Sequence, residues 1–209
     1  MALASLLYAE ILRSADLWLK IGGRPEAEIG ALEPLLWRDG AKRIHDVITA
    51  LTGRGFKVSM TTNGQLLESF VDRLKSAGLS LLRVSWHTTD PAMFKERSGG
   101  YGDYDRFFRG ISNAADAGIP ISFNRVLLKG CGADLPDQLR FVEGHGCRIK
   151  FFTLLWTPTG ASTYDRFYQD WRPVVRKYVL PRTKRIERVG ASIGRKRLRF
   201  WLKDGGLVV

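Results

Sequence analysis

Two hydrophobic periods alternate along this chain, and a glycine or a turn pair marks most changes between them. Leu3–Lys20 has helical spacing, with Leu7, Ile11, Ala15 and Trp18 along one face. Ala27–Leu32 is a short strand candidate. Asp39 precedes a helical run over Ala41–Arg54, with Ile44, Val47, Ile48 and Leu51 on one face, and Gly55 ends it. "FKVSMTTNG" reads as a strand entering a turn at Asn63-Gly64. "LLESFVDRLKSAG" reads as helix, "LSLLRVSWHT" as strand, "YDRFFRGISNAADAG" as helix and "IPISFNRVLLKG" as strand. "LPDQLRFVEGHG" is helix again and "CRIKFFTLLW" strand. Four or five strand–helix units at this spacing call for crossovers between parallel strands, so the chain is α/β. A partial (β/α) barrel of parallel strands and an open doubly wound sheet both satisfy the pattern.

Both architectures bind ligands at the carboxyl ends of their strands. The residues there are Glu33, Thr61–Gly64, Ser85–Thr88, Asn124–Lys129 and Thr157–Gly160. They supply a carboxylate, hydroxyls, an amide and a lysine. Each alone has a structural use: Asn63-Gly64 as a turn, Ser85 and Asn124 as partners of nearby backbone. Gathered at one sheet edge, they suit a polar small molecule. His87 also falls at a strand end, where a neutral imidazole suits a general base and a hydrogen-bonded structural histidine is the alternative.

A chain of 209 residues, 44% hydrophobic and 11% aromatic, has the composition of a folded domain. Its net charge of +12 is uneven: Arg176 to Lys203 holds eleven Lys or Arg against the single acid Glu187. This divides the chain into a nearly neutral domain over residues 1–165 and a basic helix/strand extension over 166–209. Tyr178, Phe200 and Trp201 are interleaved with the basic residues, so the extension suits nucleic acid, with phosphates on Lys and Arg and bases on the rings. A basic face left in water, an acidic protein and an anionic small molecule explain the charge equally. "RKRLRFWLKDGGLVV" alternates like a strand with a hairpin signal at Asp204-Gly205. Cys131 and Cys147 form no C-x-x-C and no zinc pattern, so no metal site is expected and a reducing cytoplasm fits. Glu10, Arg13 and Asp16 interrupt the first apolar run, so neither a leader peptide nor a membrane span is expected.

Taken together, the motifs resemble the radical SAM superfamily, in the branch that contains the GTP cyclase of molybdenum-cofactor biosynthesis. "EPLLWRD" (33–39), "TTNG" (61–64) and "VSWHTTDPAMF" (84–94) are similar to the family's strand endings. So are "SGGYGDYDRFFRGISNAADAGIPISFNRVLLKG" (98–130) and "FFTLLWTPTG" (151–160). The likeness runs over roughly residues 5 to 160. It implies that Glu33 meets the ammonium of S-adenosylmethionine (SAM), and that Thr62 and Asn63 line the site. It further implies Ser85 and Asn124 on the amino-acid part or ribose, and backbone near Thr157 on the adenine. Lys129, with Arg125 beside it, would face the substrate.

Two phrases compete for the family's Gly-Gly-Glu-Pro. Gly22-Gly23-Arg24-Pro25 keeps the glycines; Ala31-Leu32-Glu33-Pro34 keeps the glutamate and the distance to Thr62. Spacing selects the second, and a Cβ at Ala31 and the side chain of Leu32 are expected to crowd the methionine end of SAM. His87 stands where the family pattern has Asp. The family's C-x-x-x-C-x-x-C, whose thiolates hold a 4Fe–4S cluster, is not found, and the chain opens on a helix. The expected fold therefore lacks the first strand, and no 4Fe–4S cluster is expected. Any SAM bound would then serve polar chemistry (group transfer, cleavage or cyclisation) with His87 as base. The alternatives are an inactive partner of a radical SAM enzyme, paired as a homodimer or with another protein at an open sheet edge, and a fragment of a genuine 4Fe–4S enzyme.

Overall fold

The structure, a computed structural model, describes residues 6–30, 32–130, 132–190 and 196–209. In chain order its elements are α1 (Tyr8–Lys20), β1 (Glu26–Ile29), β2 (Arg38–Asp39), β3 (Lys42–Arg43), α2 (Ile44–Thr52), β4 (Lys57–Thr62) and α3 (Val71–Ser76). Then come β5 (Leu81–Ser85), α4 (Pro91–Arg97), α5 (Tyr104–Asp116), β6 (Ile121–Val126), α6 (Leu135–Gly144) and β7 (Arg148–Phe152). The chain closes with α7 (Ala161–Phe167), α8 (Trp171–Val174), β8 (Thr183–Gly190), β9 (Lys196–Leu202) and β10 (Leu207–Val208). No helix among the described residues is long and apolar enough to cross a membrane.

The chain divides into two compact units, one of residues to Val84 with Arg106–Ile121, the other of Ser85–Asp105 with Ser122–Val209. In the first, β1, β4 and β5 run parallel, with Ala27 opposite Val58 and Met60 opposite Leu82. Alternation along β4 buries Val58, Met60 and Thr62. Ile44, Val47, Ile48 and Leu51 of α2 are buried, the face that the 3.6-residue period selects. Among the described residues β1 pairs with β4 alone, which leaves its other edge open.

In the second unit β6 and β7 are parallel, β10 joins β7 in parallel, and β9 and β8 follow antiparallel. The Asp204-Gly205 hairpin signal is realised: Leu207 lies opposite Trp201 and Val208 opposite Phe200. Buried Ile149, Phe200, Leu202 and Val208 form one face of this sheet, while Leu139 and Val142 of α6 are buried as well.

Several local expectations shift. Helix α1 begins at Tyr8, and of its expected apolar face only Ala15 is buried, while Leu7 and Trp18 are exposed. Gly22-Gly23 form the turn after it: Gly22, with φ of 80°, donates to Leu19 and Gly23 donates to Trp18, a paired C-terminal cap. Asp39 does not start α2. Its carboxylate accepts the Tyr8 amide at 2.9 Å and so caps α1, while Asp46 accepts the Arg43 amide at the start of α2. The short helix α4 was not expected; Asp90 caps it by accepting the Met93 amide at 2.8 Å.

Candidate functional site

In the first unit the residue types at the strand ends build a latch. Glu33 follows β1 and begins the short turn Pro34–Leu36. One carboxylate oxygen accepts the Thr62 hydroxyl at 2.7 Å and the Leu35 amide at 3.1 Å, and the other accepts the Asn63 amide at 2.7 Å. A carboxylate offers about four acceptor positions, so one is left for an outside donor. Thr62 is buried and also accepts the Gly64 amide, and the Asn63 side chain accepts the Gln65 amide. Thr62 and Asn63 therefore shape the turn with the same groups that were expected to face a ligand.

Leu32 has φ of 53°, the left-handed region that costs a residue with a Cβ about 1–2 kcal/mol. The backbone before Glu33 thus keeps a conformation suited to glycine, and the leucine side chain is 79% exposed rather than packed. Ala31, the other expected source of crowding, lies outside the described residues. Leu32→Gly should stabilise the fold by about 0.5–1 kcal/mol in denaturant unfolding; a loss would show that leucine is not strained there.

In the second unit, the Trp86 amide donates to the Asn124 carbonyl at 3.0 Å, which seats Ser85 and Asn124 side by side where β5 and β6 end. Both are half-buried, and neither side chain has a hydrogen-bond partner among the described residues. His87 is one step further along. Its Nδ1 accepts the Val126 amide at 3.2 Å, and its carbonyl accepts from Arg97. Burial, then the charges of Arg97 and Arg125, hold the imidazole below its ordinary value, so it is neutral at physiological pH. With Nδ1 accepting, the proton sits on Nε2. This tautomer presents a donor, whereas general-base catalysis needs a free ring nitrogen.

Arg125, expected to face substrate, is turned inward. It is fully buried and lies bidentate on Asp134, with N–O distances of 2.7 and 3.3 Å, and also donates to Gln138. Gln138 donates in turn to the Trp86 carbonyl, and Asp134 accepts the Thr89 amide. Burial pushes the Asp134 carboxyl up, but Arg125, the Thr89 amide and the Thr88 hydroxyl outweigh it and hold the group below the usual range. Position along β6 explains the correction: Phe123 and Arg125 share the inward phase, Asn124 the outward one. The sequence signal for this network was a lone arginine in an apolar strand, which must find a carboxylate when buried.

Lys129 is exposed in the loop after β6. Thr157 is exposed too, and its hydroxyl accepts the Gly160 amide at 3.1 Å. Beside the loop after β6 lies a cavity of about 270 Å³ lined by Leu127, Leu128, Gly130, Gln169, Val174 and Tyr178, among others. It is below the roughly 300–1,000 Å³ of drug-sized ligand sites.

The described residues do not fit a 4Fe–4S cluster. They contain no group of three or more His, Cys, Asp or Glu able to hold a metal. Cys147 is buried and its thiol is pushed up to about 11 by burial, which opposes the thiolate that iron needs. Cys131 lies outside the described residues.

A mostly parallel α/β sheet with polar strand ends defines the class, a partial barrel of the radical SAM type. The Radical SAM superfamily model matches residues 3–134, and the chain belongs to that superfamily. Similar curated proteins place it near the cyclase branch. A probable GTP 3′,8-cyclase of Pyrobaculum aerophilum is 31% identical over 157 residues, 73% of this chain and 49% of that protein. One from Methanococcus aeolicus is 34% identical over 134 residues, 64% of this chain and 44% of that protein. The chain spans about half the length of these relatives. Among solved structures, Streptococcus suis SuiB bound to S-adenosylmethionine matches with a TM-score of 0.59 at 18% identity, over 73% of this chain and 35% of that one. A domain of pyruvate-formate lyase-activating enzyme from Bacteroides vulgatus matches at 0.55 and 15% identity, over 73% and 89%.

Proposed function

We propose that this chain binds S-adenosylmethionine, or a related nucleoside, at the strand ends of its second unit and takes part in polar rather than radical chemistry. The observation that carries the reading is the pair Ser85 and Asn124: adjacent, half-buried and without side-chain partners among the described residues. A hydroxyl and a carboxamide side by side on one face of the sheet, near the strand ends, suit the hydroxyls of a ribose or an amino-acid end. Superfamily membership supports the class of ligand. When bound, SAM supplies an electrophilic carbon next to its sulfonium. His87 would donate from Nε2 to an oxygen of the ligand or acceptor, while the Val126 amide fixes its ring. Cluster-free chemistry rests on the donor set: the described residues hold no thiolate triad.

Calorimetry of the whole chain with SAM, and with S-adenosylhomocysteine as control, tests this together with an iron and sulfide assay. Binding without iron is the expected result, with Asn124→Ala weakening it about tenfold, the effect of one lost polar contact. No binding at millimolar ligand would sink the reading, and stoichiometric iron with sulfide would overturn its cluster-free half.

The open edge of β1 favours a second reading, in which the chain is a non-catalytic partner that accepts a strand from another protein. Co-purification with an iron–sulfur protein, abolished by a proline in β1, would select it.

A further inference from the structure

The sheet of the second unit has two unlike faces. One is apolar and buried across β7, β10 and β9, through Ile149, Phe200, Leu202 and Val208, though at β8 it carries the exposed Ile186 and Arg188. The alternation of β7 and β9 sends Arg148, Lys150, Arg197, Arg199 and Trp201 to the other. Arg185 of β8 lies opposite Trp201 and shares that face, with its guanidinium 4.9 Å from the ring centroid. Five cations therefore meet one acid, Glu187, which lies opposite Arg199. Its carboxylate is 3.7 Å from the Arg199 guanidinium and accepts the Trp201 indole at 3.3 Å.

We propose that this face binds single-stranded nucleic acid. Charge complementarity fixes the partner as a polyanion, and the ring makes it more than that. A base stacks on the Arg185–Trp201 platform, and Arg197 and Arg199, about 7 Å apart along one strand, reach successive phosphates. Arg148 and Lys150 extend the path across the sheet, since β10 alone separates β7 from β9. Arg197 is exposed and so available without rearrangement. Glu187 limits affinity by occupying Arg199. Lys150 lies opposite Asn124, so the far end of this path borders the SAM site proposed above, but the Arg185–Trp201 platform and Arg197 do not depend on that reading.

Fluorescence anisotropy of labelled oligouridylate and oligothymidylate of about 20 nucleotides, titrated with the whole chain, tests the proposal. Four phosphate contacts predict a log–log salt slope of about −3, at roughly −0.7 per contact. Trp201→Ala should cost about tenfold, a typical loss for one stacked base. Arg197→Glu, at an exposed position that leaves the fold intact, should cost at least as much and flatten the salt slope. Glu187→Gln should strengthen binding several-fold, a gain that damaged folding does not produce. Binding of either oligonucleotide in this pattern sustains the proposal, and the stronger of the two shows whether RNA or DNA is read. It is overturned if neither binds at about 50 mM salt, where phosphate contacts are strong. It is also overturned if a mononucleotide binds as tightly as the 20-mer, which would mean a nucleotide site, or if Arg197→Glu and Glu187→Gln both leave affinity unchanged, which would place binding elsewhere.

Discussion

Replacing Asp134 by Ala should cost about 3–5 kcal/mol, the usual result of removing one partner from a buried ion pair. Arg125 is fully buried, and its guanidinium is held by Asp134 and Gln138. Without the carboxylate, a cation stays in the interior with its charge uncompensated, and the Thr89 amide loses its acceptor. The variant Arg125→Met with Asp134→Asn removes the charge and keeps an acceptor for Thr89, so it should unfold less readily than Asp134→Ala. Urea midpoints of the single and double variants measure this. A loss below about 1 kcal/mol for Asp134→Ala would show that the pair behaves as an exposed one. The same pair sets an acid limit. The folded carboxyl titrates below its unfolded value, so its contribution is complete above about pH 4 and is lost as pH falls through the folded value. A stability profile of Asp134→Asn should lack that acid slope.

Gly64→Ala should cost about 2–4 kcal/mol, because two penalties fall on one atom. Gly64 has φ of 79°, a left-handed conformation in the turn where β4 ends. A Cβ there would sit 2.7 Å from the ring of Phe107 and 3.2 Å from Val84. Phe107 is fully buried and cannot swing away. The turn also aims the Asn63 amide at Glu33, so the damage should reach the latch. Gly144 provides the control: nothing lies within 4 Å of a Cβ there, and Gly144→Ala should leave stability within about 0.5–1 kcal/mol. Equal unfolding midpoints for the two variants would refute the packing argument.

The sequence by itself determined the α/β class, the order of the parallel strands' segments and the buried face of α2, though not that of α1. Those follow from period and from glycines at Gly22, Gly64 and Gly118, which act over a few residues and need no distant partner. It also determined the family, through motifs in a fixed order. Spacing chose Glu33 over Gly22-Gly23, and the left-handed backbone at Leu32 agrees with that choice. The tertiary structure alone decided what each polar strand-end residue does. Asn124 and Arg125 are neighbours with opposite fates, because one residue along a strand reverses the face, and only the packing of α6 fixes which face is inside. His87 looked like a base in the sequence, and the Val126 amide, distant in the chain, took its acceptor nitrogen. The charge of residues 176–203 was legible as a number, but that Arg185, Arg197 and Arg199 share a face with Trp201 depends on the register of β8 against β9. Composition counts charges; cross-strand pairing places them.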